Sequence, residues 1–435
     1  MGYHFRTLNY LGSKLRLLDF IEENIQRITN DKQGVCDLFA GSGCVSYKLS
    51  EHYAVTSCDI QNYSTVISNA LLKKFDITNN DINELIQIIQ SEKTLHDCFI
   101  PLIETEEQAI RFKDLETLTE ILETGSIEVF RLENKRTCLN HRLHEVLDNL
   151  SKNDFLNRKS LISRYYGGIY FSYRQAVAID IILESIQNHI AEDKRDFFLA
   201  ALLSTASDVV DTVGKHFAQP IKARDAKGNI KITVYNKALQ DKTIDIIELY
   251  KDWIYRYKSL PKSDYVCQTI QGDYIKCLRN LPDSVKTIYA DPPYTRDHYS
   301  RFYHVLETIT LRDSPELTTT NIRGEKHISN GIYRKDRHQS PFCIMSKAHD
   351  AFKEMFEITS SGDKNLVLSY SPYDETKKTH PRVVTLRQLL DLARVYYQHV
   401  DLISAGKFKH NKLNSTEHFL DASSEAEVLI VCTNE

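Results

Sequence analysis

Hydrophobic residues fall at strand spacing toward the two ends of the chain and at helical spacing through its middle. Leu15, Leu17, Leu18, Phe20, Ile21 and Ile25 mark an amphipathic helix. Two short apolar runs follow, 34–38 and 54–60, with a helix expected from near Val45 between them. From about 72 to 264 the strand pattern stops. Ile82, Leu85, Ile86 and Ile89, then Leu115, Leu118, Ile121 and Leu122, repeat at helical periods, and 176–186 and 197–213 read as further apolar helices. Strand-like runs return at 265–270, 285–290, 365–371, 396–404 and 426–432. An aromatic helix is expected over 296–311, then a polar, basic loop to about 345. A second basic loop, with Lys407, Lys409 and Lys412, would join the last two strands as a hairpin. Strands alternating with helices predict an α/β sheet from residues 1–75 and 265–435, interrupted by a mainly helical insertion, 76–264.

The run Val285-Lys286-Thr287-Ile288-Tyr289-Ala290 stops abruptly in Asp291-Pro292-Pro293-Tyr294. Two consecutive prolines cannot donate to a ladder and fix φ, so the strand end is stiff. It carries a carboxylate, outward carbonyls and an aromatic ring. That set suits the exocyclic amine of a nucleobase, a poor nucleophile because its lone pair is delocalised into the ring. Asp291 and the Pro292 carbonyl can each accept one amine N–H and stabilise positive charge developing on the nitrogen. Tyr294 can stack on an extruded base for roughly 1–3 kcal/mol, which offsets part of the unstacking cost.

Other strand ends supply the features of a methyl-donor site. The segment Cys36-Asp37-Leu38-Phe39-Ala40-Gly41-Ser42-Gly43 is a strand, a glycine turn and a helix start, the first unit of a Rossmann-like sheet. It lacks the third glycine of a dinucleotide fingerprint and has an acid at the strand end, which suits a ligand with an amino-acid moiety rather than a pyrophosphate. Asp59, 18 positions after Gly41, ends the second strand where a carboxylate can bind ribose hydroxyls. Asp273 is a further strand-end acid. Upstream, Tyr10-Leu11-Gly12-Ser13-Lys14 places a lysine and free N–H groups at a helix start, suited to a carboxylate.

Composition narrows the class only modestly. With 42% hydrophobic and 26% charged residues the chain has ordinary globular usage, and it has neither a membrane-length apolar run nor the apolar core of a signal peptide near Met1. Nine cysteines without a Cys-x-x-Cys pair, and scattered histidines, predict reduced thiols and no metal centre. The net charge of −4 conceals a polarised distribution. Residues 76–130 are acidic, whereas 215–242 and 323–347 are basic. Lys215, His216, Gln219, Lys222 and Arg224, with Arg323, Arg334 and Arg337, are candidates for DNA contact.

Taken together, these residues resemble the Dam-like (alpha-class) adenine-N6 DNA methyltransferases, over roughly the first 75 residues and the last 170. The order is that family's: an aromatic-x-Gly-x-Lys segment, a donor loop, an inserted target-recognition region, then Asp-Pro-Pro-Tyr. The resemblance implies a Rossmann-like sheet with a final antiparallel strand, binding S-adenosylmethionine through Tyr10, Lys14, Asp37, Phe39, Gly41, Gly43, Asp59, Asp273 and Asp291. It implies catalysis by Asp291, Pro292, Pro293 and Tyr294. Position 10 is Tyr where the best-known members carry Trp, and the 76–160 stretch is long and acidic for the family. The implied activity is site-specific methylation of adenine N6 in double-stranded DNA, in restriction–modification, phage defence or epigenetic marking, by a cytoplasmic, nucleoid-associated protein. A cognate endonuclease or a defence-system partner would accompany such a role. Methylation of RNA or of cytosine N4, and a silent DNA-binding subunit, are the alternatives. Oligomeric state and target sequence are not legible.

Overall fold

In the computed structural model, which describes residues 5–133, 137–296, 299–322, 324–371, 382–405 and 427–434, the apolar runs form strands and the middle of the chain is helical. The strands are β1 (Gly34–Asp37), β2 (Val55–Asp59), β3 (Gln268–Gln271), β4 (Val285–Ala290), β5 (Thr319–Ile322), β6 (Glu325–Ile328), β7 (Asn365–Tyr370), β8 (His399–Ser404) and β9 (Val428–Thr433). The chain divides into two compact units. One comprises residues 1–74, 261–300 and 338–435, and the other residues 75–260 and 301–337. Residues 301–337, which sequence reasoning left with the sheet, thus cluster with the helices.

The first unit holds a seven-stranded sheet in the order β3-β2-β1-β4-β7-β9-β8. The first five strands in that order are parallel, and β9 runs antiparallel between β7 and β8. Central strands β1, β4 and β7 are almost wholly buried, which is why they read as continuous apolar runs. Edge strand β8 has only exposed and half-buried positions. Cys36, Ile288, Leu366, Leu368 and Ile430 form one core with the helices Tyr274–Arg279, Ala348–Ser361 and Leu386–Tyr396. The helices Leu18–Gln26, Cys44–Leu49 and Asn62–Leu72 form a second layer, where Thr29 and Thr287 share a 2.7 Å hydroxyl contact. Chain order reverses between β1 and β4, so the carboxyl ends of these strands frame a crevice.

The second unit is mainly helical. Its apolar helix Tyr173–His189 is capped by Ser172, which exchanges hydrogen bonds with Gln175. Helix Asn79–Ser91 starts with the same reciprocal arrangement between Thr78 and Asp81. A buried Lys242 ammonium lies 2.8 Å from Glu106 and also donates to the Gly168 carbonyl. Two expectations need correction here. The region expected to be loop up to 345 contains the hairpin β5–β6, whose strands are mostly exposed and therefore show no apolar alternation. The aromatic helix expected over 296–311 is instead two helices, Tyr299–Phe302 and His304–Leu311. No helix among the described residues is long and apolar enough to cross a membrane. The loop with Lys407, Lys409 and Lys412 lies outside the described residues.

Candidate functional site

Parallel strands bring acids that are far apart in sequence to one edge of the sheet. Asp37 is in register with Tyr289 and Asp59 with Gln271, so the ends of β1, β2, β3 and β4 lie side by side. A cavity of about 340 Å³ opens there, within the size range of small-molecule sites. Tyr10, Lys14, Phe39, Asp59, Asp273, Asp291, Pro292, Pro293 and Tyr294 all line it. Asp37, Gly41 and Gly43 do not.

Asp59 acts through its backbone partners. Its Oδ2 accepts the Gly41 N–H at 2.8 Å and its Oδ1 the Gln61 N–H at 2.8 Å, fixing the ends of β1 and β2 relative to each other. Gly41 has φ +53°, and a Cβ there would lie 2.6 Å from the Tyr10 hydroxyl oxygen, so this glycine is required twice over. Asp37 is one of the residues outside the lining. It is buried beneath the turn, where its carboxylate accepts the Ser46 hydroxyl at 2.6 Å, and Ser46 in turn contacts Ser57. Burial pushes its carboxyl up to about 7, with the Ser46 hydrogen bonds opposing. Asp273 caps the helix Tyr274–Arg279 by accepting the Lys276 N–H at 2.9 Å, and still faces the cavity. Phe39 and Tyr274 each pack edge-on to Phe342, at 5.4 and 5.0 Å between ring centroids, giving that wall an apolar character.

Charge is concentrated at Asp291. Lys14 Nζ lies 3.1 Å from Asp291 Oδ2 and 3.1 Å from Glu427 Oε1, and Ser369 Oγ donates to the same glutamate oxygen at 2.8 Å. Lys14 and Glu427 are buried, while the Asp291 side chain keeps 22% exposure toward the cavity. Burial pushes the Asp291 carboxyl up to about 6; Lys14 opposes that rise and Glu427 adds to it. Burial alone would depress the Lys14 ammonium, yet Asp291 and Glu427 hold it well above its ordinary value. Glu427, 413 residues from Lys14, is the site residue that sequence reasoning missed. No local spacing marks it. Beyond the diprolyl turn, Tyr294 packs on Tyr370 at 4.9 Å, and the Arg382 guanidinium lies 4.8 Å from its ring. Among the described residues none donates to the Pro292 carbonyl, whereas the Pro293 carbonyl accepts the Cys343 thiol at 3.8 Å.

Residues 10–160 match the family model of the D12 class N6 adenine-specific DNA methyltransferases. Over those residues the chain is similar to that class. Modification methylase LlaI of Lactococcus lactis subsp. lactis is 26% identical over 387 residues, covering 89% of this chain and 48% of the relative. Type II methyltransferase M.FokI of Planomicrobium okeanokoites is 24% identical, covering 84% of this chain and 44% of the relative. Type II methyltransferase M.CviAII of Paramecium bursaria Chlorella virus 1 is 25% identical, with 84% and 83% covered. The chain thus spans about half the length of the first two relatives.

The second unit reduces the set of basic residues expected to meet DNA. Arg334 is buried, at 2% exposure, and makes two hydrogen bonds to Asp313, at 2.7 and 2.6 Å, and one to Asp336, so it is a structural ion pair. Lys215 is tied to Asp241 at 2.8 Å and to the Asp208 and Val210 carbonyls. His216 is buried, its ring 4.8 Å from Phe302. Arg224 is exposed but paired with Glu123 at 3.1 Å. Arg323 lies outside the described residues. Gln219, Lys222 and Arg337 line an open groove of about 760 Å³ in this unit, together with Arg301, Tyr333 and hairpin residues Thr320 and Ile322.

Proposed function

We propose that this chain transfers a methyl group from S-adenosylmethionine to the N6 amine of adenine in double-stranded DNA, as a site-specific modification methylase. The observation that carries this reading is the Asp291 carboxylate, held by buried Lys14 at the end of β4 and facing a cavity that Asp59 also lines. The names of the relatives agree with it.

The cavity suits the cofactor. Asp59 presents a carboxylate already oriented by two N–H groups for a ribose diol, and Phe39 offers an apolar face for an adenine. Tyr10, whose ring abuts Gly41 of the donor turn, and Lys14 also line the cavity and would face the amino-acid moiety. S-adenosylmethionine would supply an electrophilic methyl on its sulfonium. The protein's contribution is positioning and electrostatics. Asp291 and the Pro292 carbonyl each accept one N–H of the target amine, which turns the nitrogen lone pair toward the methyl. As the N–C bond forms and the donor's S–C bond breaks, which would leave a neutral thioether, the positive charge passing to nitrogen is stabilised by the adjacent carboxylate. Held near 6, that carboxylate is basic enough to receive the proton the methylated amine then sheds. Tyr294, packed on Tyr370, stacks on the extruded base. No covalent intermediate with the protein is required. In this reading the sheet of the first unit is a Rossmann-like methyltransferase domain, residues 76–264 contain the target-recognition region, and a restriction endonuclease is the natural functional partner.

Asp291→Ala tests the assignment. The variant should fold, bind S-adenosylmethionine and bind DNA, yet transfer no methyl. Transfer at the wild-type rate would remove Asp291 from the mechanism.

A further inference from the structure

We propose that Arg301 and Arg337, converging on the ring of Tyr333, form a clamp for a phosphodiester group of the DNA backbone. This rests on the methylase reading above and adds the place where the second unit grips its substrate. The Arg337 guanidinium carbon lies 4.9 Å from the Tyr333 ring centroid and that of Arg301 lies 5.7 Å from it. All three residues line the groove of about 760 Å³.

Two guanidinium groups beside one ring repel each other unless an anion joins them. The neighbouring carboxylates are already committed. Asp313 and Asp336 both bind the buried Arg334, and Glu123, on the groove wall, binds Arg224. Among the described residues no ion pair includes Arg301 or Arg337. Arg337 donates Nε to the Arg334 carbonyl at 2.6 Å, which fixes the fork, and its Nη2 lies 3.5 Å from Thr318 Oγ1. Burial and then the nearby Arg301 charge push the Arg337 guanidinium below its ordinary value, while Tyr333 and Asp336 oppose that shift. A phosphate suits the pair, because its oxygens match the planar guanidinium donors. The stacked tyrosine holds both side chains flat and limits the entropy lost on binding. Arg301 is exposed and Arg337 half-exposed, so a polyanion can reach them. A contact of this kind fixes the register of the duplex and reads no sequence.

The test is the salt dependence of binding by the full-length protein to a panel of duplexes of differing sequence, followed by fluorescence anisotropy. Arg301→Gln and Arg337→Gln should each flatten the plot of log affinity against log salt by about 0.9 per lost phosphate contact. Each should weaken binding roughly tenfold, equally across the panel, with S-adenosylmethionine affinity unchanged. Arg301→Lys should retain most of the slope. Arg301→Gln, at an exposed side chain, keeps the test decisive if Arg337→Gln misfolds. An unchanged slope would overturn the clamp while leaving the methylase reading intact. Losses that differ between sequences would overturn the phosphate assignment in favour of base contact. A wild-type protein that binds no duplex would overturn both readings.

Discussion

Replacing Glu427 with Gln removes one of two negative charges beside Lys14 and leaves Asp291 as that ammonium's carboxylate partner. In the wild-type protein Asp291 is held near 6, and only its ionised form carries the charge that stabilises a positive nitrogen, so methyl transfer should fall as pH drops through about 6. Glu427 contributes to that elevation and Lys14 opposes it, so the two substitutions have opposite signs. Unit charges about 4 Å apart interact by roughly 4 kcal/mol at an effective dielectric constant of 20, and one pKa unit is about 1.4 kcal/mol. The glutamate acts across the intervening ammonium, which reduces its share. Glu427→Gln should therefore move the acid limb down by about one unit, toward pH 5. Lys14→Met should move it up by one to two units, toward about pH 7 to 8. The assay is single-turnover transfer from labelled cofactor between pH 5 and 9, with cofactor binding at pH 8 measured by calorimetry to separate chemistry from occupancy. Asp37, near 7, also titrates in this range, so the difference between variants is the informative quantity. Limbs that stay fixed in both variants, or that shift in the same direction, would refute the charge network as the control on Asp291.

Asp59→Asn should weaken S-adenosylmethionine binding by roughly ten- to a hundredfold, as loss of one or two charge-assisted hydrogen bonds would, while duplex binding persists; unchanged calorimetric affinity would remove Asp59 from the cofactor site. Gly41→Ala forces an L-residue into positive φ against the Tyr10 ring and should cost about 1–3 kcal/mol in chemical denaturation; a neutral result would show that the donor turn is pliable. Asp211 is buried, its carboxylate has no hydrogen-bond partner among the described residues though the Lys242 ammonium lies 3.9 Å away, and burial, which Lys242 only partly opposes, pushes it up to about 6 from 3.8. Its protonation therefore favours the folded state fully below about pH 4, and that contribution is lost as pH rises through 6. Asp211→Asn should accordingly raise stability at pH 8 by up to about 3 kcal/mol, with the gain vanishing near pH 4. Equal changes in urea-unfolding free energy at both pH values would contradict the assignment.

The parts of this fold that could be read from the sequence are those in which one face or end of an element dictates residue type. Strands β1, β4 and β7 are buried and appear as apolar runs, and the acids Asp59, Asp273 and Asp291, which line the cavity, stand out in the sequence at strand ends. The hairpin β5–β6 was not legible, because strands with mostly exposed positions carry no alternation. Glu427 was hidden because its partners are Lys14, at the other end of the chain, and Ser369, on β7, and neither leaves a local spacing. Arg334 and Lys215 counted as basic surface in a window of sequence. Only three-dimensional placement shows that Asp313 and Asp241 neutralise them. Conversely, Arg301 belonged to an apparent aromatic helix, and its meaning emerges only beside Tyr333 and Arg337.

Methyl transfer from radiolabelled S-adenosylmethionine to unmethylated duplex DNA, followed by mass spectrometry of the hydrolysed nucleosides, tests the central claim most directly. The account predicts label in N6-methyl-deoxyadenosine, and none when Asp291 is replaced by Ala. Label in N4-methyl-deoxycytidine or only in RNA would contradict the substrate, and cofactor binding without transfer to any nucleic acid would contradict the activity.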